Sequence, residues 1–190
     1  MSARALTSKC CKSSKCWLMT RQIVPFLCAA LALGPMQTTR AAEVGNEVPN
    51  CALSAIDNTQ QSYALKQFRG KVLYVDFWSS WCNPCAQSFS LLNEMNRDLK
   101  DKGLQVIGIN LDEVPEDAKV FLAKHPASFT VMADANQQCA KDFVVKAMPS
   151  SYLVDRNGVI RHVHLGFRPG EAKEFRALAE QLLAENPVRK

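Results

Sequence analysis

The sequence predicts an α/β fold, a three-layer sandwich in which a central mixed β-sheet carries helices on both faces. Three observations predict it. Two nearly continuous apolar, β-favouring runs, residues 71–78 and 104–109, have the composition of strands buried on both faces. Segments with apolar residues at helical spacing follow each of them. The turn Asp155-Arg-Asn157-Gly158 joins two later strands, because Asn-Gly accepts positive φ. The order is β-α-β-α, a hairpin and a helix, which needs cover on both sheet faces.

The elements follow in order. Lys71-Val-Leu-Tyr-Val-Asp-Phe-Trp78 is the first buried strand. From Pro84 to about Lys100, Phe89, Leu91, Leu92, Met95 and Leu99 recur on one helical face, and Gly103 stops the helix. Leu104-Gln-Val-Ile-Gly-Ile109 is the second buried strand. Glu116 to His125 is a short helix expected to turn Val120, Phe121 and Leu122 inward, ended by Pro126. Phe129-Thr-Val-Met is a weak strand and Asn136 to Phe143 a short helix. The hairpin strands are 151–154 and 159–165, and Pro169 to Ala184 closes the chain as a helix through Phe175, Leu178, Leu182 and Leu183. No repeat or low-complexity tract follows residue 45, so residues 45–187 read as one domain.

Composition narrows the function. With 190 residues, 47% hydrophobic and 22% charged, the chain is no disordered tail, collagen, coiled coil or multi-span membrane protein. The net charge of +5 is misleading. Six of the 23 basic residues lie in the first 41, which hold no acid; the remaining 17 face 18 acidic residues, a net −1. Nucleic-acid binding by the body therefore loses its support.

Residues 1–41 read as an export signal: basic residues to Arg21, the apolar run 23–33, the Gly34-Pro35 break, and cleavage after Ala41 or Ala42. Met19 would start a more compact signal. The uncharged stretch 22–39 also reaches the length of a membrane anchor, the runner-up reading, but Pro25 and Gly34-Pro35 oppose one. Cys28 lacks the small residue a lipoprotein site needs before it, and Cys10, Cys11 and Cys16 fall in the removed segment. Export implies an oxidising compartment, where thiols pair unless kept reduced.

The chemistry lies in Trp81-Cys82-Asn83-Pro84-Cys85, between the first strand and the long helix. Two cysteines three apart at a helix start share one face, within disulfide reach. Unpaired N–H groups and the helix dipole favour a thiolate at Cys82, the attacking sulfur. Cys85, one turn in, suits the resolving role, and Pro84 fits the first turn. A zinc site would need two more ligands, and the remaining pair, Cys51 and Cys139, are single and 88 residues apart. No metal and no cofactor is expected.

With these segments in place, the chain resembles the thioredoxin fold, and within it the exported TlpA/ResA-like thiol–disulfide oxidoreductases. The resemblance rests on residues 48–53, 70–78, 81–85, 106–112 and 148–155, followed by Asn157-Gly158, and covers about 47 to 185. It implies a thioredoxin-like sandwich, a cis peptide at Met148-Pro149 beside the disulfide, and an extended substrate segment pairing there. Trp81, Met148 and Pro149 are the substrate contacts expected. It also implies that Asp76, six residues before Cys82, moves a proton for the inner cysteine; a buried carboxylate otherwise needs a partner or a raised pKa. Two departures concern that path. Ser88 stands where many relatives have Glu, and Gly108 where thioredoxins place Lys, which leaves Asp76 with water alone. Ser150 stands where cytochrome c maturation members carry an acid.

Other residues receive structural readings. Cys51 and Cys139 are read as small apolar residues rather than a pair. His162 and His164 belong to a solvated hairpin face, and Trp78 and Trp81 shield the disulfide. Asp112-Glu113 with Glu116-Asp117 is a loop and an acidic first helical turn. The function expected is a periplasmic, monomeric protein disulfide reductase, acting on disulfide-bonded exported proteins and recharged by a membrane electron donor. The alternatives are a thiol peroxidase, which would need Thr where Ser79 stands, and a binding or chaperone module with an incidental CxxC.

Overall fold

The computed structural model describes residues 42–57 and 60–185; the expected leader, with Met19 and the cysteines at 10, 11, 16 and 28, lies outside the described residues. The framework is set by Val72–Trp78 (β3), buried at every position. Alternate side chains divide between two cores, as the pleat requires. Val72, Tyr74 and Trp78 point into one, and Leu73, Val75 and Phe77 into the other. Leu104–Asn110 (β4) repeats the pattern, with Leu104 and Val106 in the first core and Ile107 and Ile109 in the second.

Seven strands form one sheet. Ala52–Ala55 (β1) and Ser62–Ala64 (β2) form an antiparallel hairpin, and β1 also pairs antiparallel with Thr130–Ala133 (β5). The strands β5, β4 and β3 run parallel, and Ser150–Val154 (β6) and Ile160–Leu165 (β7) complete the sheet antiparallel. The order is β2-β1-β5-β4-β3-β6-β7. The first core lies under Asn83–Leu99 (α1), Pro115–Lys124 (α2) and Ala172–Ala184 (α4). The second is covered by Gln138–Asp142 (α3) and the segment around Val48 and Cys51. The result is the α/β three-layer arrangement that the periodicities predict.

Three local differences have clear causes. The hairpin β1–β2 has no counterpart in the element order read from the sequence: its strands are only four and three residues long and incompletely buried. Val120 points outward, 58% exposed, because on α2 the buried positions are Ala118 and Phe121, three apart. Leu122 packs only partly against the core. The third concerns the cysteines outside the motif. Cys51 and Cys139, read as unpaired apolar residues, form a disulfide with Cα atoms 5.2 Å apart. Adjacency of β1 and β5 brings them together, since Cys51 directly precedes β1 and Cys139 follows β5 into α3.

The turn after β6 is set by Asp155, whose Oδ1 accepts from the N–H groups of Asn157 and Val159, with Gly158 at φ 84°. Arg156 donates to the carbonyls of Leu182, Leu183 and Glu185, so this turn also ties down the C-terminal end of α4.

Candidate active site

The strand β3 delivers the chain to Ser79 and Ser80, and α1 begins at Asn83 with Cys82 as its N-cap. The Cys82 sulfur accepts from the Cys85 N–H at 3.3 Å, and Pro84 occupies the first turn, where no N–H is needed. Cys82 and Cys85 are joined as a disulfide, Cα atoms 5.3 Å apart. Cys82 is 4% exposed and Cys85 fully buried, so the outer sulfur sits just beneath the surface rather than on it. Ser88, one turn on, donates its hydroxyl to the Cys85 carbonyl at 2.9 Å.

The loop before the disulfide is held by a residue the sequence left as plain loop. Asp112 is buried, and its two carboxylate oxygens accept from the Ser80 N–H, the Ser80 hydroxyl and the Asn110 amide. The carboxylate thus fixes the backbone two residues before Cys82. No local pattern marks Asp112 for this; its position just after β4, beside the end of β3, does. Asp112→Ala strands the Ser80 N–H and should cost about 2 kcal/mol. A lower urea midpoint at unchanged m-value is the expected readout, with partial recovery in Asp112→Asn.

The Met148–Pro149 peptide is cis and leads into β6. Ser79, fully buried, donates its hydroxyl to the Met148 sulfur at 3.2 Å, a contact that a thioether at 148 makes possible. Trp81 is 71% exposed and shields nothing; the fully buried indole is Trp78, packed on Phe89 and Phe121. Trp81 and Met148 line a groove of about 960 Å³. Its walls include Val114 and Asp117 of the α2 entry and Lys141 and Val144 around α3, Val144 at φ 56°. A β-branched residue rarely takes that conformation.

Asp76 lies on the face of β3 that carries Trp78 and Tyr74, toward the core that contains Cys85. Its Oδ1 accepts from the Ser151 hydroxyl at 2.6 Å, and its Oδ2 is buried without a hydrogen-bond partner. Ser151 was not singled out in the sequence, because only the β3–β6 register places it opposite Asp76. Burial pushes the Asp76 carboxyl from 3.8 up to about 7, and the Ser151 hydrogen bond opposes the rise. The sign for stability follows. Below about pH 4 both folded and unfolded chains are protonated; between there and about 7 only the unfolded chain ionises, so stability falls as pH rises, by roughly 4 kcal/mol in all. Asp76→Asn should remove this slope. Urea titrations at pH 4 and pH 8 read it as a variant that gains on the wild type at the higher pH.

On β4, the register partner of Asp76 is Gly108. A Cβ there would lie 2.9 Å from the Phe129 ring and 3.2 Å from Trp78 Nε1, so no side chain fits where thioredoxins carry Lys. His164 differs from its sequence reading. It is half-buried, with its ring edge-on to Phe175 and its Nε2 3.2 Å from Glu171 Oε2. Among the described residues no group of three or more His, Cys, Asp or Glu side chains could hold a metal.

A family model described as Redoxin matches residues 43–182. The chain belongs to the Redoxin family. It is 29% identical over 142 residues to the thiol-disulfide oxidoreductase ResA of Bacillus thuringiensis subsp. konkukian, covering 73% of this chain and 81% of that one. Against ResA of Bacillus cereus the identity is 30% over 118 residues, 62% and 67% of the two chains. A crystal structure described as the thiol:disulfide interchange protein DsbE of Chlorobium tepidum superposes with a TM-score of 0.72 at 40% identity, covering 76% of this chain and all of that one. This Redoxin-family chain is thus a thiol–disulfide oxidoreductase of thioredoxin fold, of the TlpA/ResA-like kind.

Proposed function

We propose that this oxidoreductase reduces disulfides of exported proteins in the periplasm, acting as a monomer. The observation that carries the reading is the Cys82–Cys85 disulfide at the start of α1, with the Cys82 sulfur as the helix cap and the groove of Trp81 and Met148 at its side. When the pair is reduced, the helix N-terminus favours a thiolate at Cys82. That thiolate attacks one sulfur of a substrate disulfide, the substrate S–S bond breaks, and the departing sulfur takes a proton from water. Cys85 then gives its proton to Asp76 and attacks Cys82. The mixed disulfide breaks, the second substrate sulfur leaves as a thiolate and takes a proton from water, and two electrons have passed to the substrate. Met148 and Pro149 would align an extended substrate segment beside the sulfurs, with Trp81 as its apolar contact.

The oxidised pair must be recharged, which calls for a membrane electron donor. The buried Cys51–Cys139 disulfide supports an oxidising compartment, in agreement with the export signal read in residues 1–41. Among the described residues no helix is long and apolar enough to cross a membrane.

Insulin reduction with dithiothreitol tests the reading. The wild type should accelerate precipitation of the insulin B chain, and Cys82→Ser should fall to the uncatalysed rate. Equal rates in both would favour a binding module, and consumption of hydrogen peroxide in place of disulfides would favour a peroxidase.

A further inference from the structure

Asp76 needs a way to exchange its proton, and the sheet leaves one side for it. Toward β4 the position is sealed by Trp78 and Phe129 above Gly108. Toward β6 and β7 polar groups succeed one another. Asp76 pairs in register with Ser151, and Ser151 with His164, so the three lie in one row on one face of the sheet. The row ends at Glu171, whose Oε2 is buried beside His164 Nε2 and has no further partner among the described residues. Ser151 and His164 stand directly opposite each other on neighbouring strands, a spacing that lets the hydroxyl and the imidazole meet by a rotamer turn.

We propose that Ser151 and His164 carry the Asp76 proton to and from solvent, the Ser151 hydroxyl turning to the imidazole of its cross-strand partner and Glu171 orienting the ring. The proposal rests on Asp76 serving Cys85. After Asp76 has taken the Cys85 proton, it passes it to the Ser151 oxygen while the Ser151 hydroxyl releases its own proton outward. That proton goes to His164, and the imidazolium beside Glu171 loses one to bulk solvent. No electrons move, and each group returns to its starting protonation. Histidine is suited to the outer station because one ring nitrogen can take up a proton while the other gives one away.

The other titratable groups near Asp76 cannot substitute. Tyr74, on the same strand, shares a hydrogen bond with Ser151, but burial and then the Asp76 charge hold its phenol protonated. His162 faces Leu153, two register pairs further from Asp76. From α1 comes Cys85, the proton's origin, and α4 presents Phe175 and Ala179 to this core.

The test uses the oxidised protein, so it does not depend on turnover. After a rapid jump from pH 6 to pH 8, loss of the protonated Asp76 carboxyl is followed by stopped-flow infrared absorption, with Asp76→Asn identifying the band. His164→Gln, which can still meet Glu171 and Phe175, and Ser151→Ala should each slow the relaxation by about a hundredfold while reaching the same end point. His164→Ala should slow it equally, and added imidazole should restore the rate. Wild-type relaxation in the His164 variants, or a deficit that imidazole leaves untouched, overturns the relay. Failure of the wild type to reduce insulin would instead overturn the reading of the enzyme, and the two outcomes are separable.

Discussion

Cys85→Ser is expected to turn the enzyme into a covalent trap. With the inner sulfur gone, Cys82 can still attack a substrate disulfide, but nothing on the protein completes the exchange. In the wild type Cys85 stands one turn along the same helix, its Cα 5.3 Å from that of Cys82. An intramolecular group so placed acts at an effective concentration far above that of any thiol in solution, so resolution by millimolar external thiol should be slower by about three orders of magnitude or more. Conjugates linked through Cys82 should therefore accumulate on non-reducing gels and disappear on reduction. Turnover of insulin at the wild-type rate by Cys85→Ser would show that the inner cysteine resolves nothing.

The second large effect concerns stability. The Cys51–Cys139 disulfide closes a loop spanning 88 positions, and in the chain-entropy picture that closure contributes about 4–5 kcal/mol. A domain of this size typically has only about 5–15 kcal/mol in total. The double variant Cys51→Ala/Cys139→Ala, which leaves no unpaired thiol behind, should show a large fall in urea midpoint. A variant as stable as the wild type would mean that the bond constrains nothing that packing does not already hold.

How far the sequence could be read depended on whether a feature was local. β3 announces itself because both of its faces are buried and its apolar run is unbroken. The CxxC at a strand-to-helix junction is local too, and the structure places the pair at the expected helix start. Asp112, Ser151 and the Cys51–Cys139 bond are not local. Each partner lies 32 or more positions away, and only strand order and register make them neighbours. His164 was misjudged for a related reason. It stands on an edge strand, where solvent is the default expectation, but Glu171 just before α4 and Phe175 within it fold over it.

The glycine at 108 shows how neighbours can hold a residue in place. Phe129 and Trp78 fill the volume that any larger side chain would claim. A lysine could enter only if both rings gave way together, and each of those changes alone would open a hole in the hydrophobic interior. A single-step replacement of Gly108 therefore meets a steric barrier that only coordinated changes at Phe129 and Trp78 remove.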